Sequence, residues 1–262
     1  MNLAMLSNPC FLAVLGGFAG LCVGSFLNVV IHRVPLIMFA ESGAGKGEGL
    51  CLSRSRCPSC RETIAARDNV PLLSYLILRG RCRHCATRIS LRYPVVEALT
   101  AALFAFAAVR VGLGYPWLGL CLLSSILVAL SAIDVDHLVL PDVLTFPLLG
   151  LGIAFNAGPG FVSLAAALVG ALVGYVFLWL VARVTARVVG REALGMGDAK
   201  LLAALGAWLG FDAIVPVVVV AVASTAAWML FMHIRARGVT GYQVPFGPSL
   251  AAGGLLVALH AY

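Results

Sequence analysis

Residues 213–233 read Ala213-Ile-Val-Pro-Val-Val-Val-Val-Ala-Val-Ala-Ser-Thr-Ala-Ala-Trp-Met-Leu-Phe-Met-His233, and the first twenty carry no acidic or basic side chain. A helix crossing a bilayer needs about 20 mostly apolar residues, within a range of roughly 17–25. This run meets that length and is bounded by polar residues. Seven further runs have the same character: 11–31, 95–112, 116–134, 139–157, 161–182, 198–211 and 246–261. The run at 198–211 is short, so it is expected to be capped or partly buried in protein. The reading is an all-α polytopic membrane protein with about eight transmembrane helices.

Composition agrees. The 262 residues are 61% hydrophobic and 11% charged, with mean hydropathy +1.02. Soluble domains are about 45–50% apolar and about 25% charged. A chain this apolar cannot hide its surface from water, so its main partner is the lipid bilayer. Disorder, coiled coil, collagen and a small disulfide scaffold are excluded by the same numbers. The net charge of +7 does not point to nucleic acid, because its distribution is that of membrane loops.

Eleven of the 18 basic residues lie between Arg33 and Arg92. Six more are Arg183, Arg187, Arg191, Lys200, Arg235 and Arg237, leaving only Arg110. Cytoplasmic loops carry the Lys/Arg excess. With the loop 33–94 in the cytoplasm, eight spans bring every cluster except Arg110 to that side. Both termini are then periplasmic. Residues 1–10 have no positive segment, so the first span is expected to stay rather than be cleaved. The expected division is 1–32 as first helix, 33–94 as cytoplasmic insert and 95–262 as helical bundle.

The insert begins with the Gly-rich stretch 41–49, read as a flexible loop. A phosphate-loop pattern fails there, because Ala40 and Gly47 stand where Gly and Ser/Thr are needed. Four of the eight cysteines then form two pairs, Cys57-Pro-Ser-Cys60 and Cys82-Arg-His-Cys85, with 21 residues between. Each knuckle offers two thiolates, and together they make a tetrahedral zinc site. Two disulfides or a redox-active C-x-x-C are the alternatives, disfavoured in a reducing cytoplasm. Four thiolates close the coordination sphere, so the zinc is structural. Cys10, Cys22, Cys51 and Cys121 read as incidental.

Acidic side chains are expensive within a bilayer and mark function when found there. The chain beyond residue 100 has six: Asp134, Asp136, Asp142, Glu192, Asp198 and Asp212. Asp134 ends the third run in Ser131-Ala-Ile-Asp134-Val-Asp136-His137; Asp198 opens the sixth in Gly195-Met-Gly197-Asp198-Ala-Lys200. The threading puts both at the cytoplasmic face at similar depth. Two adjacent carboxylates share one proton, one activating water while the other protonates a carbonyl, which is the chemistry of aspartic peptide hydrolysis. Gly195 and Gly197 allow a turn and close helix approach beside Asp198. Three alternatives stay open on pattern alone: catalysis, an ion pathway, or helix ends that are capped or simply wet. Asp198 ahead of Leu201, and Asp142 after Pro141, both suit an N-cap. Asp134 is preferred to Asp136 because it closes the apolar run and can face the bundle.

Seven ordered segments together resemble the bacterial type IV prepilin peptidases. They are Gly24-Ser-Phe-Leu-Asn-Val-Val-Ile-His-Arg33-Val-Pro35, the cysteine knuckles, Asp68 to Gly80, Arg92-Tyr-Pro-Val-Val-Glu97-Ala-Leu-Thr100, Ile133 to Asp142, Gly195 to Leu201, and Pro245-Phe-Gly-Pro248. The resemblance implies an intramembrane aspartyl endopeptidase of the G-x-G-D type in the bacterial inner membrane. It implies cleavage of the leader from prepilins and pseudopilins, with Asp134 and Asp198 as the catalytic pair. Gly195, Gly197, Asp136 and Lys200 are expected to support them. It also implies N-methylation of the new terminus from S-adenosylmethionine. That cofactor is water-soluble, so its site is sought at the insert, with Gly80, Arg81 and Glu97 as candidates; Glu97 has a plainer alternative in pairing with Arg92. Rival readings are a membrane thiol redox enzyme using the four cysteines, and a proton-coupled transporter using the carboxylates.

Overall fold

The computed structural model describes residues 8–40, 56–57, 59–189, 195–235 and 244–262. The Gly-rich stretch 41–49, Cys51, Arg191, Glu192 and Arg237 lie outside them. The helices are α1 (Pro9–Ala40), the short α2 (Leu73–Ile77), α3 (Arg92–Val111), α4 (Tyr115–His137), α5 (Asp142–Asn156), α6 (Leu164–Val189), α7 (Met196–Leu209), α8 (Ile214–Arg235) and α9 (Gly247–Ala261). Among the described residues there is no strand, only two isolated bridges, Arg56 to Thr63 and Arg81 to Arg88. Apart from α2, each helix falls on one of the apolar runs. The first runs further than expected. It ends at Ala40 rather than near 32, because Val34 and Pro35 are still buried and the residues beyond favour helix.

Among the described residues, five helices are long and apolar enough to cross a membrane: Pro9–Phe39, Arg92–Val111, Tyr115–His137, Leu164–Val188 and Phe211–Arg235. Two shorter apolar ones are Asp142–Asn156 and Gly247–Ala261. The 14-residue α7 is about 21 Å long at 1.5 Å per residue, less than the roughly 30 Å hydrocarbon core. Its chain is buried without a break from Leu201 to Gly210. A helix wrapped by other helices meets protein rather than lipid, so it need not match the bilayer.

The chain divides into two compact units, Met1–Ser125 and Ile126–Tyr262. In the first, α1 lies on α3 through Gly16, Gly20 and Gly24, four residues apart on one face. A Cβ on Gly16 would sit 2.7 Å from Phe104 O, one on Gly20 2.6 Å from Ala101 Cα, and one on Gly24 2.8 Å from Glu97 Cα. Lipid gives no hydrophobic drive for helix association, so close van der Waals contact through small residues supplies it.

In the second unit α7 packs on α5, α6 and α9. Gly206 and Gly170 meet backbone to backbone, as do Gly174 and Leu202. The C-terminal end of α7 is locked by polar bonds. Asn156 Nδ2 donates to Ala207 O (2.8 Å) and Trp208 O (3.0 Å), and Trp208 Nε1 donates to Leu148 O (2.8 Å). Phe155 stacks on Trp208 with ring centroids 5.1 Å apart. With that end fixed, the opposite end, which carries Asp198, has a defined place.

Candidate active site

α4 ends where its apolar run ends. Leu138 takes φ +55°, a left-handed conformation that costs a non-glycine residue about 1–2 kcal/mol, and its N–H closes on Asp134 O at 2.9 Å. The turn throws Leu140 inward. Asp134, 5% exposed, stays on the buried side of α4, while Asp136 and His137 are exposed. Asp134 Oδ2 accepts the backbone N–H of Gly247 at 2.9 Å. Gly247 is the first residue of α9, so the donor belongs to the positive end of a helix dipole. A Cβ on Gly247 would lie 2.7 Å from that oxygen and 3.0 Å from Leu140 Cδ2. Only glycine leaves room there.

Asp198 stands in the first turn of α7 and is 8% exposed. The N-cap is Gly195, not Asp198, and the Asp198 carboxylate turns back toward the Gly195 backbone. Asp198 lies within electrostatic reach of Asp134. A Cβ on Gly197 would lie 2.9 Å from Leu140 Cβ. Gly197 therefore permits close approach. Gly195 is extended at φ −75°, ψ 145°, a conformation open to any residue, so it is not needed for a turn.

Asp142 is not an N-cap either; Pro141 holds that position and α5 has no side-chain cap bond. Asp142 instead pairs with Lys200 through both carboxylate oxygens, at 2.7 and 2.8 Å. Lys200 Nζ also lies 5.1 Å from the Phe146 ring centroid. The pair ties the first turn of α5 to that of α7. Lys200 thus spends its charge on Asp142. Gly247 and Leu140 were not identified as site residues from sequence; the only signal was the Pro245-Phe-Gly-Pro248 segment opening the last apolar run.

The insert brings its four cysteines together. The Sγ atoms of Cys57, Cys60, Cys82 and Cys85 lie within 4.8 Å of one another, with Cys57 to Cys85 at 3.7 Å. Zinc bonds of about 2.3 Å in a tetrahedron give sulfur–sulfur edges near 3.8 Å, whereas a disulfide is about 2.05 Å. The knuckles share one backbone pattern. Cys57 N–H donates to Glu62 O and Cys82 N–H to Thr87 O, both at 2.9 Å. The residue after each knuckle, Arg61 or Ala86, takes positive φ. Backbone hydrogen bonds at Cys60 hold the Cys57 thiol below its ordinary value. Thr87 brings Cys85 down to about 6. Cys60 goes the other way, to about 12: a backbone hydrogen bond at Glu62 is outweighed by desolvation and the neighbouring sulfurs. Four sulfurs this close can hold a cation between them once deprotonated, and the donor set fits zinc.

Glu97 is buried, with Oε2 accepting Leu72 N–H at 2.8 Å and Ser25 as a further partner. Leu72 has φ +56°, so a carboxylate inside α3 holds a strained turn of the insert. Gly80 has φ +66°, and a Cβ there would strike the Tyr75 hydroxyl at 2.7 Å. Gly80 and Arg81 edge a cleft of about 340 Å³ shared with Tyr75, Arg79, Arg88 and Leu91.

The bacterial peptidase A24 N-terminal domain matches residues 18–111, and the type IV leader peptidase family matches 121–230. A prepilin leader peptidase/N-methyltransferase of Burkholderia pseudomallei (strain K96243) is 45% identical over 250 residues, covering 90% of this chain and 81% of the relative. The protein of the same name from Klebsiella pneumoniae is 52% identical over 196 residues, covering 75% and 84%. That from Neisseria gonorrhoeae is 42% identical over 261 residues, covering 94% and 90%. No solved structure matches. With relatives this similar along most of its length, the chain belongs to the type IV leader peptidase family.

Proposed function

We propose that this chain is a bifunctional, multi-pass inner-membrane enzyme. It cleaves the leader peptide from type IV prepilins and pseudopilins, then methylates the exposed N-terminal amine. The observation that carries the peptidase half is the burial of Asp134 and Asp198 within electrostatic reach of each other. A capped or solvated helix end leaves its carboxylate wet, and these two are not. The pair shares one proton. The ionised member takes a proton from water as its oxygen attacks the scissile carbonyl carbon, and the other protonates the carbonyl oxygen. Collapse of that adduct breaks the C–N bond and returns a proton to the leaving amine. Gly247 N–H fixes Asp134, Gly197 lets α7 approach Leu140, and the Asp142–Lys200 pair holds two helix starts together.

Eight spans are proposed, with the insert 33–94 in the cytoplasm, the bundle 95–262 following it, and both termini in the periplasm. This puts the carboxylates at the cytoplasmic face, where a substrate with an apolar helix and a short basic leader presents its scissile bond. The four cysteines hold a structural zinc. S-adenosylmethionine supplies the methyl group when bound, and we place it at the cleft edged by Gly80 and Arg81. The guanidinium groups there suit its carboxylate, and Tyr75 lines the same cleft. Glu97 acts through the Leu72 turn rather than by touching the cofactor.

The test is purified protein with a prepilin, followed by N-terminal sequencing of the product. Cleavage after the leader, lost in Asp134→Asn and Asp198→Asn, is expected. Cleavage that persists in either variant overturns the assignment. Neither the thiol redox nor the transporter reading has support among the relatives.

A further inference from the structure

Among the described residues, the insert leaves an apolar face with nothing over it. On α2 the side chains of Leu73, Leu76 and Ile77, at helical spacing, are 53%, 71% and 65% exposed. Leu91, just ahead of α3, is also exposed. Single exposed leucines are ordinary, but a helix one and a half turns long that turns three large aliphatics outward is covering for a partner. Depth in the bilayer identifies it. Leu72, the residue before α2, is bonded to Glu97 Oε2 at 2.8 Å. Glu97 lies five residues inside α3, a helix able to cross the membrane. At 1.5 Å per residue that is about 7.5 Å below the start of α3. Amphipathic helices seat their apolar faces about 5–10 Å into the headgroup–acyl boundary.

Charge points the same way. Between Asp68 and Glu97 the chain holds five arginines and no acid. Arg83 is paired with Asp68. Arg79 and Arg88 are exposed beside the apolar face and form no ion pair among the described residues. Arginine stems run along apolar surface while their heads reach phosphate. A basic leader peptide is repelled by such a surface, and an anionic headgroup is drawn to it.

We propose that α2 and Leu91 form an interfacial foot that seats the insert on anionic lipid of the membrane the helices cross. The zinc module is thereby held at the membrane surface beside the start of α3. The inference is independent of the peptidase assignment; Arg79, Arg88 and Leu91 also line the cleft proposed for the methyl donor, so the test reads lipid contact at Leu76 and Ile77, which lie outside that lining.

Full-length Leu76→Trp tests it, in lipid nanodiscs of phosphatidylglycerol and phosphatidylcholine, with the parent protein's emission subtracted because four native tryptophans contribute. More than half of the added emission is expected to be lost when the acyl chains are brominated, and little of it to aqueous iodide. In phosphatidylcholine alone, and in the added Arg79→Gln, Arg88→Gln variant, iodide quenching should rise at least twofold. Ile77→Trp should repeat the result, and retained zinc shows that the insert is folded. Emission quenched by iodide and untouched by brominated chains overturns the proposal. So does protection that appears only when a prepilin is added, which makes the face a substrate surface. Identical behaviour in zwitterionic discs overturns the role of anionic lipid.

Discussion

Gly247→Ala adds one methyl group at the most crowded point of the carboxylate site. The new Cβ would stand 2.7 Å from Asp134 Oδ2, where ordinary contact begins near 3.4 Å, so the carboxylate must retreat by 3.4 − 2.7 = 0.7 Å. Leu140 Cδ2, 3.0 Å from the same Cβ, also crowds the new methyl. The Gly247 N–H bond, now 2.9 Å, stretches toward about 3.6 Å and is lost. Helix propensity acts in the opposite direction, since alanine is a better helix former than glycine. A loss of function is therefore steric rather than a failure to fold. Misplacing a catalytic group by about 1 Å costs about 10²-fold, or roughly 2.7 kcal/mol on the barrier. The loss should fall on kcat with KM little changed, because Asp134 acts in the transition state. Single-turnover cleavage of a prepilin in nanodiscs measures it. Gly150→Ala, with nothing within 4 Å of its Cβ, is the control and should cleave normally. A Gly247→Ala enzyme within about threefold of wild type refutes the claim that this contact seats Asp134.

Asp134→Asn and Asp198→Asn should each lower cleavage by about 10²–10⁴-fold or more while the protein stays folded and inserted. Exposed Asp136→Asn and Asp142→Asn should do less, and a dead Asp136→Asn beside an active Asp134→Asn reverses the choice between them. Elemental analysis should find one zinc per chain, and Cys57→Ser or Cys85→Ser should loosen the insert first, read as faster proteolysis there. Ala86→Gly relieves a positive φ of 53° and should stabilise the zinc-bound insert by about 1 kcal/mol, measured as resistance to a chelator; a weaker insert contradicts the strain argument. Changes at Gly80 or Arg81 should impair methylation more than cleavage, while the aspartate variants still methylate pre-cleaved pilin by mass spectrometry.

What could be read from the sequence was what repeats or carries charge. Apolar runs located eight helices, five of them long enough to cross a membrane, because an uncharged stretch approaching about 20 residues has few other uses. Paired cysteines located the four-sulfur cluster because their spacing brings ligand atoms together whatever the rest of the insert does. Asp134 and Asp198 stood out because carboxylates are rare among apolar helices. The seating of those carboxylates was not legible. Gly247 lies 113 residues from Asp134, and a backbone N–H leaves no mark on the sequence. The glycines at 16, 20 and 24 were present in the first run, but periodic small residues are muted where every neighbour is apolar. Asp142 and Asp198 passed for N-caps because a first-turn acid follows the same composition rule; Pro141 and Gly195 took those positions. Arg61, Leu72, Ala86 and Leu138 adopt positive φ without being glycine, so no pattern betrays their turns.

The two chemistries ask for opposite surroundings, and the chain is divided in the same sense. Hydrolysis by a shared-proton pair needs carboxylates sheltered by low-dielectric protein, with room for one water and an extended peptide. Asp134, Asp198, Leu140 and Gly247 all belong to the unit Ile126–Tyr262, and the leader peptidase match at 121–230 begins almost at its edge. Methyl transfer from a charged, soluble donor needs an aqueous cleft, and Gly80 and Arg81 belong to Met1–Ser125, which contains the N-terminal match at 18–111. A zinc held by the four cysteines could serve neither reaction directly, because four thiolates leave no open coordination position. It would instead fold a segment too small to make a core of its own. On this reading α4, which contains the Ser125–Ile126 boundary, is the covalent link between a soluble chemistry and a membrane one. Removing the metal should then disturb methylation before it disturbs cleavage, and chelation that silences both at the same rate would count against the division.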